Sequence, residues 1–259
     1  MSWNVNGLRS CVQRGFASWL GRCGADVVAV QEARVTEEQL PPEVRRLRSW
    51  SFALHAAQQP GYSGVALLSR RPPDELEISL GAPRFDREGR FQCARIGRLW
   101  VVNSYFPSGN GKNYDLSRIP YKLAYTRAVR RHLQRLLDAG ERVVIVGDFN
   151  TARTPIDLAR PAQNKRSSGF RPEEREEFDR WIQAGWTDTY RHLHPDEVRY
   201  SWWSQRAGCR ERNVGWRLDY ALVSPAALPF VRGAEIHTRV KGSDHCPVSV
   251  DFVPEVGGD

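Results

Sequence analysis

Nine polar residues of this sequence stand at or just beyond stretches that read as strands: Asn4, Asn6, Glu32, Tyr105, Asp148, Asn150, Asp219, Asp244 and His245. Singly, each has an ordinary explanation: a Glu solvated after a strand, an Asp that caps a turn, a Tyr at a core edge. Jointly they place four carboxylates on what would be one rim, and such a group repels itself unless a cation or a proton is shared. Carboxylate and carboxamide oxygens without a Cys/His cluster suit a hard, mostly hydrated cation, so Mg2+ is expected over zinc, with Mn2+ as a substitute. A single histidine beside a carboxylate reads as a proton handler or phosphate donor rather than a ligand. A second Asp on its other nitrogen would fix the tautomer and raise its pKa. These residue types suit metal-assisted phosphodiester hydrolysis.

The element that must position them is the run Val143-Val144-Ile145-Val146-Gly147-Asp148-Phe149-Asn150. Its four aliphatic residues read as a central strand buried on both faces, stopping at Gly147, with a carboxylate at its end and a carboxamide two residues on. Asp26 to Gln31 repeats the pattern and delivers Glu32. An amphipathic helix is expected from Arg14 to Cys23, closed by Gly24, and a capping box at Thr36 should open another. Short β segments follow at Phe52–Ala56, Gly64–Ser69, Leu76–Leu80, Phe91–Ile96 and Leu99–Tyr105, the last two joined by a Gly97-Arg98 hairpin turn. A long helix should run from Ser117 to Asp138 and lead into the central strand. After Asn150 comes a basic loop with Arg153, Arg160, Lys165, Arg166, Ser167, Ser168, Gly169 and Arg171, and then a helix opened by Pro172. Tyr200–Ser204, Trp216–Val223 and Pro247–Phe252 read as strands. The whole predicts an α+β fold: a four-layer α/β/β/α sandwich of two packed mixed β-sheets flanked by helices, one domain over residues 1–259.

The chain has 259 residues and a 41% hydrophobic share, enough for such a core. Its net charge of +8 comes almost wholly from arginine, since only Lys112, Lys122, Lys165 and Lys241 are lysines. Excess arginine favours a polyanion partner, because the guanidinium fork pairs with phosphate. Five cysteines without CxxC spacing support neither a zinc ribbon nor a disulfide framework, and are read as reduced thiols. No window approaches the ~20 apolar residues of a membrane span, and Met1-Ser2-Trp3 does not open a signal peptide. A cytoplasmic monomer with no membrane attachment is expected.

WNVNGLRS, VVAVQEARV, YSGVALLSR, NSYFPSG, VVIVGDFN, YSWWSQRAGCRERNVGWRLDYALVS and GSDHCPV resemble the exonuclease III family of abasic-site DNA-repair endonucleases, within the endonuclease/exonuclease/phosphatase superfamily. GDFN and SDHCPV alone would leave sphingomyelinases, inositol-phosphate phosphatases and deoxyribonuclease I open; NVGWRLDY with the preceding tryptophan pair is specific to the repair branch. The resemblance implies a metal site of Glu32, Asn6, Asp244, Asp148 and Asn150, with Glu32 the main Mg2+ ligand assisted by Asn6 and Asp244, and Asp148, supported by Asn4 and Asn150, as the group that positions and deprotonates the attacking water. It implies His245, oriented by Asp219, at the scissile phosphate, with Asn150 and the metal stabilising the transition state. Tyr105 and Lys122 are implied as phosphate contacts, and Trp202, Trp216 and Leu218 as a pocket for a flipped, base-less sugar. Arg206, Arg210 and Arg212 should add DNA affinity, and Ser167 to Gly169 should let DNA pass closely on both sides of the scissile bond. The implied partner is duplex DNA with abasic sites or blocked 3′ ends, and the implied product a nick 5′ to the abasic site. Arg34 stands where the family commonly has lysine, and Ser108 where it has asparagine. The rival reading, an inactive relative that only binds nucleic acid as a regulator, would have lost several of Glu32, Asp148, Asn150, Asp219 and His245; all are present.

Overall fold

The structure, a computed structural model, describes residues 1–206 and 208–258. The strands β1 (Ser2–Asn4), β2 (Val27–Gln31), β3 (Ser51–His55) and β4 (Val65–Ser69) open the chain. They are followed by β5 (Glu75–Glu77), β6 (Phe91–Ile96), β7 (Leu99–Ser104) and β8 (Arg142–Asp148). Then come β9 (Thr187–Asp188), β10 (Trp202–Trp203), β11 (Gly215–Trp216), β12 (Asp219–Val223), β13 (Val231–Ile236) and β14 (Val248–Phe252). One six-stranded sheet has the order β13-β14-β1-β2-β4-β3, the other β5-β6-β7-β8-β12-β9, and β10 pairs with β11 apart from both. Each large sheet is mixed: β1 with β2 and β7 with β8 are parallel, the remaining pairs antiparallel.

The pleat of β8 explains its apolar run. Val144 and Val146 point between the sheets, where they meet Ala29, Leu67, Ala94, Val101, Ala221 and Val223. Val143 and Ile145 point the other way, into a core with Phe106, Tyr125, Val129, Leu133, Phe178 and Trp181, under the helices Ile119–Asp138 and Pro172–Gln183. On the far side, Val28, Val30, Ala66 and Leu68 pack with Leu8, Phe16 and Leu20 of the helices Leu8–Gln13 and Phe16–Leu20. Helices, sheet, sheet and helices stack as the expected four layers.

Several elements differ from expectation. The strand β8 does not stop at Gly147 but continues through it to Asp148. Gly147 has φ +146, and a Cβ there would lie 1.9 Å from the Ser104 carbonyl oxygen, so only glycine lets β8 pass β7 at this point. The helix expected from Arg14 to Cys23 is only Phe16–Leu20, which starts after the left-handed Gly15, and a second short helix, Leu8–Gln13, precedes that glycine outside the expected range. The capping box at Thr36 exists but opens only one 3-10 turn, Glu37–Gln39. The segment Trp216–Val223 divides into β11 and β12, because Arg217 turns inward between Asp157 and Asp188. The strand β13 lies outside the expected strands, and Gly233 and a register shift interrupt its alternation. Among the described residues no helix is long and apolar enough to cross a membrane.

Candidate active site

The parallel pair β1 and β2 ends at one rim, and β8 ends beside it, so Asn4, Glu32 and Asp148 arrive together. Asn4 Nδ2 donates both to Glu32 Oε2 at 3.0 Å and to Asp148 Oδ2 at 2.9 Å. The antiparallel register places Asp219 of β12 directly opposite Asp148. Asp219 Oδ2 lies 2.8 Å from His245 Nδ1, and His245 Nε2 lies 3.8 Å from Asp148 Oδ2. Asn150 donates its backbone N–H to Asp148 Oδ1 at 2.7 Å, and its Nδ2 to Asp148 Oδ2 at 3.1 Å and to the Phe106 carbonyl at 2.9 Å. Asn6 Nδ2 donates to Asp244 Oδ1 at 2.8 Å, and Trp202 Nε1 to Asp244 Oδ2 at 3.1 Å. Three of these residues, Asn6, Glu32 and Asn150, hold left-handed backbone with φ 46, 56 and 49. Asparagine tolerates that region, whereas for Glu32 it costs about 1 kcal/mol or more, which the surrounding hydrogen bonds offset.

Burial dominates the electrostatics. It pushes Asp148 up to about 7, and the charge of Asp219 adds to the rise while His245 and the bonds from Asn150 and Asn4 oppose it. Burial would lower His245, but Asp219 and Asp148 outweigh it and lift the imidazole to about 10. At neutral pH the imidazolium persists beside a carboxylate poised to exchange a proton. Burial and Glu32 hold Tyr105 well above the usual phenol range despite the Arg90 guanidinium over its ring, so it remains a neutral donor. For Asp244, burial is overcome by His245 and by the bonds from Asn6 and Trp202, which keep it below the usual carboxylate range.

The donor set fits a hard cation. Asp148, Asp219 and His245 bring ligand atoms within 4.8 Å of one another, but the imidazole itself lies between those carboxylates and takes the place of a cation. The oxygen-rich part of the rim open to solvent is Glu32 with Asn6 and Asp244, all three lining one cleft of about 780 Å³. Carboxylate and amide oxygens suit Mg2+ or Mn2+, not zinc. The adjoining wall of the same cleft is apolar: Trp202, Trp216 and Leu218, with the two indoles edge to face at 6.5 Å.

Residues 1–245 match the Endonuclease/Exonuclease/phosphatase family. The chain belongs to that family. It is 38% identical to an exodeoxyribonuclease of Bacillus subtilis (strain 168), covering 96% of this chain and 97% of the relative. It is 35% identical to the DNA repair nuclease APEX1 of Danio rerio, covering 96% and 80%. Among solved structures, an AP endonuclease from Archaeoglobus fulgidus superposes with a TM-score of 0.86 at 28% identity, covering 97% of both chains. As a member of the endonuclease/exonuclease/phosphatase family, the protein brings Asn4, Asn6, Glu32, Tyr105, Asp148, Asn150, Asp219, Asp244 and His245 to one rim. Ser167, Ser168 and Gly169 line the cleft too, as do Arg160 and Arg166 of the same loop.

Two expected phosphate contacts lie elsewhere. Lys122 is 2% exposed, and its Nζ is spent on Glu174 Oε1 at 2.5 Å and on the Asn150 carbonyl at 2.6 Å. It holds the backbone of Asn150 instead of reaching into the cleft, and Glu174 Oε2 accepts from Gly169 N–H at 2.7 Å on the cleft wall. Arg210 stacks on Trp203 and donates to the carbonyls of Ser243, Thr238 and Val240, so it ties down the loop that carries Asp244. Arg206 and Arg212 are exposed, Arg206 lying 5.8 Å from the ring of Tyr114 on the cleft rim. Two serines outside the expected set also hold the site. Ser201 donates to Asp219 Oδ2 at 2.6 Å and receives the Leu218 and Asp219 N–H groups. Ser243 donates to the Asn4 carbonyl and receives the His245 N–H. Only Ser243 carried a signal, its place beside Asp244-His245.

Proposed function

We propose that the protein is a Mg2+-dependent DNA-repair phosphodiesterase that cleaves 5′ to abasic sites in duplex DNA, and that it also removes nucleotides and blocking groups from 3′ ends. The observation that carries this reading is the adjacency, in one cleft, of the Asp148–His245–Asp219 chain and the apolar wall of Trp202, Trp216 and Leu218. Asp148, held by Asn4 and Asn150, takes the proton of the attacking water. The His245 imidazolium, oriented by Asp219, and the neutral Tyr105 hydroxyl donate to the phosphate oxygens as charge grows there. The side-chain nitrogen of Asn150 is engaged with Asp148 and Phe106, which leaves its side-chain Oδ1 for the cation. Glu32, Asn6 and Asp244 hold the Mg2+, with Mn2+ as substitute. A bound divalent cation supplies neutralisation of the developing phosphate charge. The tryptophan pocket accepts a base-less sugar and excludes a full nucleotide by size, so shape provides selectivity. The protein acts as a cytoplasmic monomer, drawn to DNA by its +8 charge.

The test is a duplex oligonucleotide with one internal abasic analogue, incubated with Mg2+ or with EDTA. Incision on the 5′ side with Mg2+ and none in EDTA is expected; full incision in EDTA would refute the metal assignment. Glu32→Ala should lose incision at low Mg2+ and regain part of it as the concentration rises, because most of the ion's coordination is water.

A further inference from the structure

Both oxygens of the Glu32 carboxylate already have a partner. Oε2 accepts from Asn4, and Oε1 is ion-paired with the guanidinium of Arg34. Each carboxylate oxygen can accept a second partner, so the Asn4 amide does not bar a metal, but a divalent cation and a guanidinium on the same carboxylate repel each other, and metal binding is favoured once the guanidinium leaves. Asn4 cannot leave cheaply: it is fully buried and also holds Asp148. Arg34 can, since its side chain is 43% exposed and it lines the same cleft.

The backbone around the pair is fixed. Gly7 N–H donates to the Glu32 carbonyl at 2.8 Å, Ala33 N–H to Gly64 at 2.9 Å and Arg34 N–H to Ser63 at 2.8 Å, holding Glu32 and Arg34 in left-handed conformations. With the backbone fixed, the long, 43% exposed Arg34 side chain is freer to move than the Glu32 side chain at 14%. A guanidinium released from a carboxylate finds an equivalent two-oxygen partner in a phosphodiester.

We propose that Arg34 is a built-in counter-ion that keeps Glu32 closed to metal in the DNA-free protein and transfers to a DNA phosphate when substrate arrives, so that DNA and metal bind cooperatively. This rests on the reading of Glu32 as a metal-binding carboxylate. Two cations compete here for Glu32, Arg34 and the divalent ion, and the DNA phosphate is the second anion that lets Arg34 give way. Lysine would pair with Glu32 as a point charge, whereas arginine can exchange one fork of oxygens for another.

The test is Mn2+ binding to the full chain, followed by the electron paramagnetic resonance signal of the free ion, with and without the nicked product duplex. Without DNA, Arg34→Gln should bind Mn2+ about fourfold more tightly than the natural protein, as expected for loss of a half-exposed ion pair. The duplex should tighten Mn2+ binding by the natural protein about fivefold or more, and that by Arg34→Gln by less than about twofold. Arg34→Lys, which keeps the charge, should restore weak binding without DNA. Unchanged or weaker Mn2+ binding by Arg34→Gln without DNA, or unchanged coupling to the duplex, would overturn the proposal. Absence of saturable Mn2+ binding in every form would overturn the metal reading of Glu32 and this inference with it.

Discussion

Two groups of buried charge lie side by side, and two residues apart in the sequence Arg217 belongs to one and Asp219 to the other. In the first, the Arg217 guanidinium binds Asp157 Oδ1 at 2.8 Å and Asp188 Oδ2 at 2.7 Å, and Arg191 adds a second cation to Asp157 at 2.8 Å. Two cations face two carboxylates. Burial opposes ionisation of Asp157, but Arg217, Thr154 and Arg191 outweigh it and draw its carboxyl down to about 2. In the second, Asp148 and Asp219 share one imidazole, Asp219 Oδ1 is buried without a hydrogen-bond partner, and Asp148 is pushed up to about 7. The same burial therefore yields opposite shifts, according to whether the cations match the carboxylates. A matched cluster holds the chain in place, whereas an unmatched one stores an excess of negative charge that an incoming cation and a transferable proton can relieve.

Removal of one partner should separate the two clusters most clearly. Arg217→Met leaves Asp157 and Asp188 buried without their main cation and should cost about 3–5 kcal/mol of stability, read from denaturant midpoints. Asp219→Asn removes one of the surplus carboxylates and should leave stability within about 1 kcal/mol, since it relieves repulsion while loosening the bond to His245. A loss on Asp219→Asn as large as that on Arg217→Met would erase the distinction.

The two clusters should also respond to pH in opposite directions. Asp157 has a folded pKa below its ordinary value of 3.8, so its contribution is complete above about pH 4 and is lost as pH falls towards 2, about 2.5 kcal/mol in all. Asp148 and His245 both have raised pKa values, about 7 and about 10, so the folded protein holds more protons there than the unfolded chain. Their contribution is greatest at low pH; that of Asp148 is lost as pH rises from about 4 to 7, and that of His245 from about 6.5 to 10. In EDTA, Asp157→Asn should flatten the acid limb of the stability profile, and Asp148→Asn should flatten the decline between pH 4 and 7. The result to look for against this view is a decline that persists unchanged in Asp148→Asn.

The unmatched cluster was legible in the sequence, and the matched one was not. Glu32 and Asp148 each close a strong aliphatic run, so the strands announce where their carboxylates lie, and the packing of the two sheets brings those strand ends together through Asn4. Arg217 sits inside Gly215-Trp216-Arg217-Leu218-Asp219, which reads as one strand. Its inward turn depends on Asp157 and Asp188, 60 and 29 residues away. Lys122 shows the same limit, because no local pattern tells whether a lysine near the start of a helix faces solvent or a buried Glu174. The layered architecture followed from alternating apolar runs, while the break at Gly15 and the division between β11 and β12 came from single residues whose partners are distant or whose backbone is left-handed.

The central claim, that the Asp148 cluster serves turnover and not architecture, is tested most directly by measuring incision of the abasic duplex and thermal stability on one preparation of Asp148→Asn with saturating Mg2+. The side chain keeps its shape but cannot accept the water's proton, so incision should fall by about 10³-fold or more while duplex affinity stays within a few-fold. The melting temperature should hold or rise, since a surplus buried charge is gone. A melting temperature that fell together with incision, or a duplex affinity that collapsed with it, would show Asp148 to be structural and would contradict this account.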